Sequence, residues 1–356
     1  MNEQKLKKVT DNMRAEGIGQ LLITSPMSIK YLTGRLISPG ERLLALCLRA
    51  NGECTFIVNS LFAQSPLEGA KLLVYSDTDD TGEVLASCVS AGRLGVDKEL
   101  KSRFLLPLME RRNDIKPVLG SICVDRARMI KTEDELKLMA ESSLKNDEAL
   151  SRTMESVRPG MSENDLAQIY RENILQAGGA GESFDSLICF GKNCAEPHHE
   201  TGGDILKDGD SVILDVGLLY GDYCSDMTRT VFMGKPTDEM KRVYELVKRA
   251  NAAGRAAVKP GVKLSEVDRA ARSVIEEAGY GKYFIHRTGH NIGLEVHEYP
   301  DVSQTSTEVC TPGMVFSVEP GIYLPGRFGV RIEDLVAVTD DGALTLNHLD
   351  RELKEL

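Results

Sequence analysis

The stretch Val212–Thr230, VILDVGLLYGDYCSDMTRT, constrains the fold of this chain more than any other feature. Two apolar, strand-like runs flank Tyr220-Gly221. A two-residue hairpin loop there would place Asp215 directly opposite Asp226 on one face of an antiparallel pair. Facing carboxylates repel each other, and such a pair is destabilising unless a cation lies between them. The stretch therefore predicts either a metal centre or a surface hairpin whose two acids are solvated.

A second stretch, 104 residues further along the chain, resembles the first. The alignment of GDSVILDVG with GMVFSVEPG places Glu319 where Asp215 lies. A turn at Pro325-Gly326-Arg327 would bring Glu333 opposite Glu319, so this stretch also predicts a hairpin with a facing acid pair. Four carboxylates would converge if the two halves packed about a two-fold axis.

The helical pattern that precedes each hairpin is repeated as well. Segment 157–179 resembles segment 258–280. Ser162 is expected to cap the first of these helices, which Gly178-Gly179 would end. Two related halves predict a pseudo-two-fold domain, and chance similarity between helix-and-hairpin units is the alternative interpretation.

The first part of the chain has the pattern of a small mixed α/β domain over residues 1–127. Short apolar runs alternate with helical stretches there, and Asn51-Gly52 between two of the runs predicts a β-hairpin. Thr132 and Glu135 then have capping-box spacing at the start of a long helix. We therefore expect the second domain to span residues 128–356.

The composition excludes several classes of function. The formal net charge of −11 argues against nucleic acids or anionic membranes as the main partner. The first residues lack a secretory signal, and no apolar segment approaches the length of a bilayer span. The eight cysteines form no CxxC pair, so we expect reduced thiols in a cytoplasmic protein.

Five of the six histidines lie just before one of the two acid hairpins. His198 and His199 precede the first hairpin, and His286, His290 and His297 precede the second. Carboxylates combined with imidazole favour manganese, cobalt or iron, with zinc also possible. Four carboxylates are too many for one catalytic zinc, so we expect two bridged divalent metals about 3.5–4 Å apart.

These residues resemble the pita-bread metallopeptidases, the family of prolidase, aminopeptidase P, methionine aminopeptidase and creatinase. The matching stretches are Pro197-His198, Val212–Thr230, His286–Glu298, Glu319-Pro320-Gly321 and Val330–Asp334, with Ile23–Gly34 and Ile130–Leu136 matching the prolidase and aminopeptidase P branch. The resemblance covers nearly the whole chain. It implies an α/β (α+β) fold, in which a small mixed N-terminal domain precedes a pseudo-two-fold catalytic domain with a curved, mainly antiparallel sheet.

The resemblance also implies a set of metal ligands. Asp215 would hold one metal, His290 and Glu319 would hold the other, and Asp226 and Glu333 would bridge the two. A hydroxide bridging the metals would attack the carbonyl group before proline, and Glu319 would accept the proton. Manganese is the expected metal, with cobalt, iron or zinc as alternatives.

Other matched residues would act on the substrate. The resemblance implies that His198 stabilises the developing oxyanion and that His297 contacts the substrate near the proline or its leaving nitrogen. His286 would line the pocket, and Arg331 would brace the bridging carboxylates. Thr228 is expected to support the ligands from behind.

Two positions depart from the family pattern. The residue after the metal-binding histidine is commonly glycine, whereas here it is Asn291, which would change the backbone or the pocket wall without removing a ligand. Many prolidases have an arginine that helps bind the free carboxylate of a dipeptide at the position of Asp301. An acid there would repel a carboxylate, which weakens a strict dipeptidase interpretation.

We therefore expect a metal-dependent exopeptidase that hydrolyses Xaa-Pro bonds of dipeptides or short peptides. Xaa-Pro dipeptidase and aminopeptidase P activity both remain open at this point. The resemblance also implies a homodimer. A metal-free pita-bread binding module or a creatinase-like hydrolase is the alternative.

Overall fold

A computed structural model describes residues 1–62 and 65–356, and the chain divides into two units, Met1–Arg128 and Met129–Leu356. Among the described residues, no helix combines the length and the apolar character that crossing a bilayer requires. All eight cysteines are free thiols, and all but Cys88 are buried.

The first unit alternates strands and helices around one mixed sheet. In chain order its elements are α1 (Glu3–Ala15), β1 (Gln20–Ile23), α2 (Pro26–Thr33), β2 (Ala45–Arg49), β3 (Cys54–Asn59), β4 (Lys71–Tyr75), α3 (Thr81–Cys88), β5 (Gly92–Val96), α4 (Ser102–Arg111), β6 (Ile115–Leu119) and α5 (Ile122–Met129). The strand order is β4-β3-β2-β1-β5-β6. The hairpin predicted at Asn51-Gly52 is confirmed, because β2 and β3 pair antiparallel around it and Gly52 has a φ of 95°.

The second unit combines two helix pairs with antiparallel strands. In chain order its elements are α6 (Glu133–Ser156), α7 (Glu163–Gln176), β7 (Leu187–Phe190), β8 (Ser211–Val216), β9 (Leu219–Tyr220), β10 (Tyr223–Cys224), β11 (Met227–Phe232), α8 (Asp238–Ala257), α9 (Leu264–Glu277), β12 (Gly289–Asn291), β13 (Glu298–Val302), β14 (Val315–Val318), β15 (Gly321–Leu324), β16 (Phe328–Arg331), β17 (Asp334–Val338) and β18 (Ala343–Thr345). The two larger sheets have the orders β11-β8-β7 and β13-β12-β14-β17-β18.

The predicted helix starts in this unit are confirmed. Thr132 forms a capping box with Glu135 at the start of α6, and Ser162 forms one with Asp165 at the start of α7. The sequence repeat is visible in the structure as well. α7 packs on the longer α6 and α9 packs on the longer α8, and α7 and α9 each have 14 residues. Each helix pair precedes one of the two acid hairpins along the chain.

Buried asparagines connect the long helices to the strands that carry the acids. Asn146 on α6 donates from Nδ2 to the carbonyl oxygen of Val216 (3.0 Å), directly after Asp215. Asn251 on α8 donates from Nδ2 to the carbonyl oxygen of Val318 (2.8 Å), directly before Glu319. Both asparagines are fully buried, so these hydrogen bonds prevent a large desolvation cost.

The register predicted for the first hairpin is wrong. The turn lies at Gly221-Asp222, because β9 and β10 pair through Tyr220 and Tyr223. Both turn residues have positive φ angles, 55° and 73°, which suits a tight hairpin loop. Asp215 therefore pairs with Thr228, and Asp226 lies two residues away along the partner strand. Because side chains alternate with a period of two, this shift leaves Asp226 on the face where it was predicted.

The register predicted for the second hairpin is confirmed. β15 and β16 pair from Gly321 with Arg331 to Leu324 with Phe328, around the turn at residues 325–327. β14 and β17 continue the same register, with Val318 opposite Asp334. Glu319 and Glu333 occupy the short interruption between these two ladders.

Candidate metal centre

Five predicted ligands from separate parts of the second unit meet in one pocket of about 490 Å³. Asp215 lies on β8, and Asp226 lies between β10 and β11. His290 lies on β12. Glu319 lies in the segment between β14 and β15, and Glu333 lies in the segment between β16 and β17. All five side chains line the pocket.

The distances between these groups are short enough for shared coordination. His290 Nε2 lies 3.6 Å from Asp226 Oδ2 and 3.4 Å from Glu319 Oε1. Asp226, His290 and Glu333 each offer a ligand atom, and these three atoms lie within 4.8 Å of one another. Asp226, His290 and Glu333 are all buried, so bulk water does not screen the interactions among these groups.

Three carboxylate oxygens in the pocket are buried without a hydrogen-bond partner in the described part of the chain. They are Asp215 Oδ1, Asp226 Oδ1 and Glu333 Oε1. A buried carboxylate oxygen without a partner costs more free energy than a neutral group in the same position. Three such atoms in one pocket fit a site for cations, and the donor set of carboxylates and imidazole fits hard divalent metals.

The electrostatics of the pocket also fit a cation. Burial, together with the charges of Asp215 and Glu319, raises the pKa of Asp226 well above its usual range. Burial and the charge of Asp226 do the same to the pKa of Glu333. Burial raises the pKa of Glu319 to about 7, although Arg331 opposes the rise. Metal ions would reverse these shifts, because a nearby positive charge favours the ionised carboxylates.

His290 presents the ring nitrogen that a metal requires. Its Nδ1 lies 3.2 Å from the carbonyl oxygen of Asn291, so the proton belongs on Nδ1 and the lone pair of Nε2 faces the carboxylates. Burial and the neighbouring His297 lower the pKa of His290 to about 3. The ring is therefore neutral, the form that binds metals.

Hydroxyl groups behind the carboxylates hold them in place. Thr228 donates from Oγ1 to Glu333 Oε2 (2.7 Å), and Ser317 donates from Oγ to Glu319 Oε1 (3.1 Å). Thr228 was predicted from the sequence to support the ligands, whereas Ser317 was not. Ser317 lies two residues before Glu319 on β14, and that spacing along a strand was the available signal.

Arg331 connects several parts of the site. Its Nη2 donates to Asp215 Oδ2 (2.5 Å), its Nη1 to Tyr323 Oη (2.9 Å) and its Nε to Thr228 Oγ1 (3.2 Å). Asp215 is therefore its direct carboxylate partner, and it reaches Glu333 only through the Thr228 hydroxyl. Tyr323, on β15, is a site residue that sequence reasoning missed.

His286 also reaches the pocket, but both of its ring nitrogens are engaged. Nδ1 lies 2.7 Å from the carbonyl oxygen of Arg287, and Nε2 lies 2.8 Å from Tyr323 Oη. Because Tyr323 Oη accepts from Arg331, its own proton is free to go to His286 Nε2. Burial, reinforced by the charge of Arg331, lowers the pKa of His286 to about 3.

His198 and His297 line the same pocket and are exposed, in contrast to the buried His290. The His297 ring meets the His290 ring edge to face, with centroids 4.2 Å apart and an interplanar angle of 71°. These are the two histidines of the pocket whose rings are most accessible to a ligand. The structure thus brings together all the site residues predicted from the sequence.

Glu163, a third residue that sequence reasoning missed, fixes the loop that carries His198. Its carboxylate, at the start of α7, has no solvent exposure. Its two oxygens lie within hydrogen-bonding distance of four groups on that loop, the backbone N–H groups of Phe190 and Gly202, the Asn193 amide and the His199 ring. In the sequence, Glu163 stands out only as an acid in the first turn of a helix. Glu163, His199 and Asp204 also have metal-ligand spacing, but the Glu163 oxygens already have these partners.

The unusual Asn291 lies within the sheet. It is fully buried, and its Nδ2 donates to the carbonyl oxygen of Pro300 (3.1 Å), which connects β12 to β13 at an irregularity in their pairing. The Asn291 side chain therefore bonds to β13 and does not line the pocket.

Comparisons with known proteins agree with this geometry. A model of metallopeptidase family M24 matches residues 137–340, and a model of the creatinase/prolidase N-terminal domain matches residues 5–130. An uncharacterised peptidase of Staphylococcus haemolyticus is 35% identical over 98% of this chain and 99% of its own length. A prolidase structure from Thermococcus sibiricus has a TM-score of 0.94 at 34% identity, covering 100% of this chain and 99% of that chain. An Xaa-Pro dipeptidase from Bacillus anthracis has a TM-score of 0.90 at 31% identity, covering 99% of each chain.

Proposed function

The chain belongs to metallopeptidase family M24, and we propose that it is an exopeptidase that hydrolyses Xaa-Pro bonds of dipeptides or short peptides. The observation that carries the proposal is the group of three buried carboxylate oxygens that have no hydrogen-bond partner among the described residues and lie beside the neutral imidazole of His290. The similarity to a prolidase and an Xaa-Pro dipeptidase over almost the whole chain supports proline-containing peptides as substrates.

The proposed metal ligands are Asp215, Asp226, His290, Glu319 and Glu333. They would hold two divalent ions, with manganese expected and cobalt, iron or zinc as alternatives. When bound, such ions supply a water molecule whose pKa is lowered to near neutrality. Arg331 holds Asp215 by one oxygen only, which leaves Oδ1 for coordination.

The remaining chemistry is proposed for the protein's own side chains. Glu319 would accept the proton released by water, and Ser317 keeps its Oε1 oriented. His198 would donate a hydrogen bond to the carbonyl oxygen as negative charge develops on it. His297 would contact the substrate near the proline nitrogen. His286 has no ring nitrogen left for proton transfer, so it would shape the pocket wall.

The test uses the purified full-length protein reconstituted with Mn²⁺ and three peptides, Ala-Pro, Ala-Pro-Pro and Ala-Ala. Hydrolysis of Ala-Pro alone would identify a dipeptidase, and release of alanine from Ala-Pro-Pro would identify an aminopeptidase. Ala-Ala should remain uncleaved, and a chelator should abolish the activity in a manner that added Mn²⁺ reverses. Failure on both proline peptides would refute the proposal, and a metal content well below one ion per chain would favour a binding module.

Two further proposals rest on the family resemblance and on the free thiols. We propose that the protein acts as a homodimer and that it functions in the cytoplasm, where its eight free cysteines would stay reduced. The molecular mass in solution tests the first proposal, because a monomer has a mass of 39.1 kDa.

A further inference from the structure

Two arginines line the pocket, and they differ in what engages them. Arg331 is buried and donates to Asp215, Tyr323 and Thr228. The Arg287 side chain is 36% exposed and forms one ion pair, from Nη1 to Asp301 Oδ1 at 3.0 Å. Within residues 1–62 and 65–356, Asp301 is its sole ion-pair partner. Arg287 is therefore the cation of this pocket that a ligand can engage.

The other charged side chains of the pocket are acidic. They are Asp185, Asp215, Asp226, Glu319 and Glu333. These acids would repel an anionic group of a substrate. The positive charge of metal ions bound here would be largely offset by the same carboxylates. Among the described residues that line the pocket, Arg287 is the accessible arginine, and its positive charge would attract an anionic group.

Arg287 also lines the same pocket as His198, His297 and Glu319, the residues proposed to act on the substrate. An anion held by Arg287 would therefore lie close to the proposed reaction site.

We propose that Arg287 binds the free α-carboxylate of a dipeptide substrate, and that Asp301 competes with this carboxylate for the same guanidinium. The inference rests on the proposed Xaa-Pro peptidase function and specifies its substrate class. Asp301 does not act as an isolated repelling charge, because Arg287 neutralises it. The acid at position 301 therefore permits dipeptides and tunes how strongly they bind.

The chemistry of the guanidinium allows this exchange. An arginine has five N–H donors in a planar fork, and it can bind carboxylates through more than one edge. The ion pair with Asp301 has its closest approach at Nη1. The two side chains are 36% and 53% exposed. Ion pairs that solvent reaches contribute little free energy, so a substrate carboxylate can compete for the arginine.

The experiment compares Ala-Pro with Ala-Pro-amide, which has the same scissile bond and proline ring but lacks the terminal charge. The measured quantity is the ratio of kcat/KM for the acid to kcat/KM for the amide, with the Mn²⁺-loaded full-length protein. The native enzyme should prefer the free acid. Arg287→Gln should lower the ratio about tenfold, as expected for one charge-assisted hydrogen bond. Asp301→Asn should raise it about threefold, because the competing carboxylate is removed.

Arg269→Gln is the matched control. Arg269 lies on α9 outside the pocket, is 68% exposed and is 3.7 Å from Glu276, so the substitution also removes a surface ion pair. It should leave the ratio unchanged. An equal loss on acid and amide in Arg287→Gln, or a lower ratio in Asp301→Asn, would overturn the inference. If the native enzyme cleaves both peptides without preferring the acid, the inference fails and the proposed function stands. If it cleaves neither of these two nor Ala-Pro-Pro, the proposed function itself fails.

Discussion

Arg331 Nη2 lies 2.5 Å from Asp215 Oδ2, and this contact joins two residues that are 116 positions apart in the chain. The contact engages one oxygen of Asp215 and leaves Oδ1 buried without a partner among the described residues. The guanidinium is fixed in turn by Tyr323 and Thr228. Arg331 thus orients one candidate ligand directly and supports Glu333 through the Thr228 hydroxyl.

Arg331→Lys should weaken metal binding. A lysine keeps the positive charge, but its single ammonium group cannot reproduce three contacts held by a planar fork. Removing support behind a ligand typically lowers metal affinity about 10- to 100-fold. Calorimetric titration of the metal-free protein with Mn²⁺ measures the effect, and Arg269→Lys on the exposed face of α9 serves as the control. An unchanged affinity would contradict the orienting role of Arg331.

Asp226→Asn should affect the metal-free and metal-loaded proteins differently. The pKa of Asp226 is raised by burial and by neighbouring carboxylates, so a neutral amide removes repulsion from the metal-free site. The Tm without metal should therefore stay the same or rise. The increase in Tm on adding Mn²⁺ should shrink, because a ligand is lost and ligand binding stabilises the native state. Activity should fall by more than the about 10- to 100-fold that is typical when only an outer support of a ligand is lost, because here a ligand itself is removed. Unchanged turnover in this variant would refute the bridging role.

Asp334→Asn should destabilise the fold. Asp334 is fully buried, and its oxygens accept from Arg229 Nη2 at 2.8 Å and from Arg351 at 2.7 Å. Burial opposes ionisation, but the two arginines outweigh it and lower the pKa of this carboxyl. Neutralising one member of a buried ion pair costs about 3–5 kcal/mol, because the remaining charges lose their partner. Urea unfolding at pH 7 measures the loss, and Asp134→Asn, at a highly exposed position, should cost under about 1 kcal/mol.

The same variant makes a prediction about pH. Because the pKa of Asp334 is lower in the folded than in the unfolded chain, its contribution to stability is complete above the unfolded value of about 3.9. The contribution is lost as the pH falls through the folded pKa. The difference in unfolding free energy between the native protein and Asp334→Asn should therefore be constant from pH 5 to 8 and should shrink below pH 4. A difference that grew in acid would contradict this assignment.

His286 should remain neutral, with its proton on Nδ1, from pH 5 to 8. Its Nδ1 faces the carbonyl oxygen of Arg287, its Nε2 faces the Tyr323 hydroxyl, and its pKa is lowered to about 3. Nitrogen-15 NMR of labelled histidine distinguishes the two tautomers and the charged form. Because the unfolded residue protonates near pH 6.5, stability should decrease as the pH falls from about 6.5 towards 3. A His286 signal that titrates near pH 6.5 would contradict the buried network.

The turn of the first hairpin could have been placed from the sequence. A two-residue loop with two positive φ angles favours glycine, asparagine or aspartate at both positions. Gly221-Asp222 meets that requirement, whereas Tyr220-Gly221 places a bulky tyrosine at the first position. In the second hairpin, the single glycine of the Pro325-Gly326-Arg327 turn identified the centre of the turn. The strand register predicted from that centre is confirmed.

The family resemblance supplied the roles of His290, Arg331 and the other histidines. The sequence by itself determined the mixed fold, the two related halves and the acids of the two hairpins. These follow from local rules, because helix caps, hairpin turns and the two-residue strand period depend on neighbours in the chain. Only the tertiary structure decided that Arg331 holds Asp215, that Tyr323 joins Arg331 to His286, that Glu163 holds the loop of His198 and that Arg287 neutralises Asp301. Contacts between side chains far apart in sequence depend on how separate strands and loops pack, and no local periodicity encodes them. The hairpin therefore predicted a pair of neighbouring carboxylates, Asp215 and Asp226, that a cation would stabilise. The packing of the other strands placed the remaining ligands beside this pair.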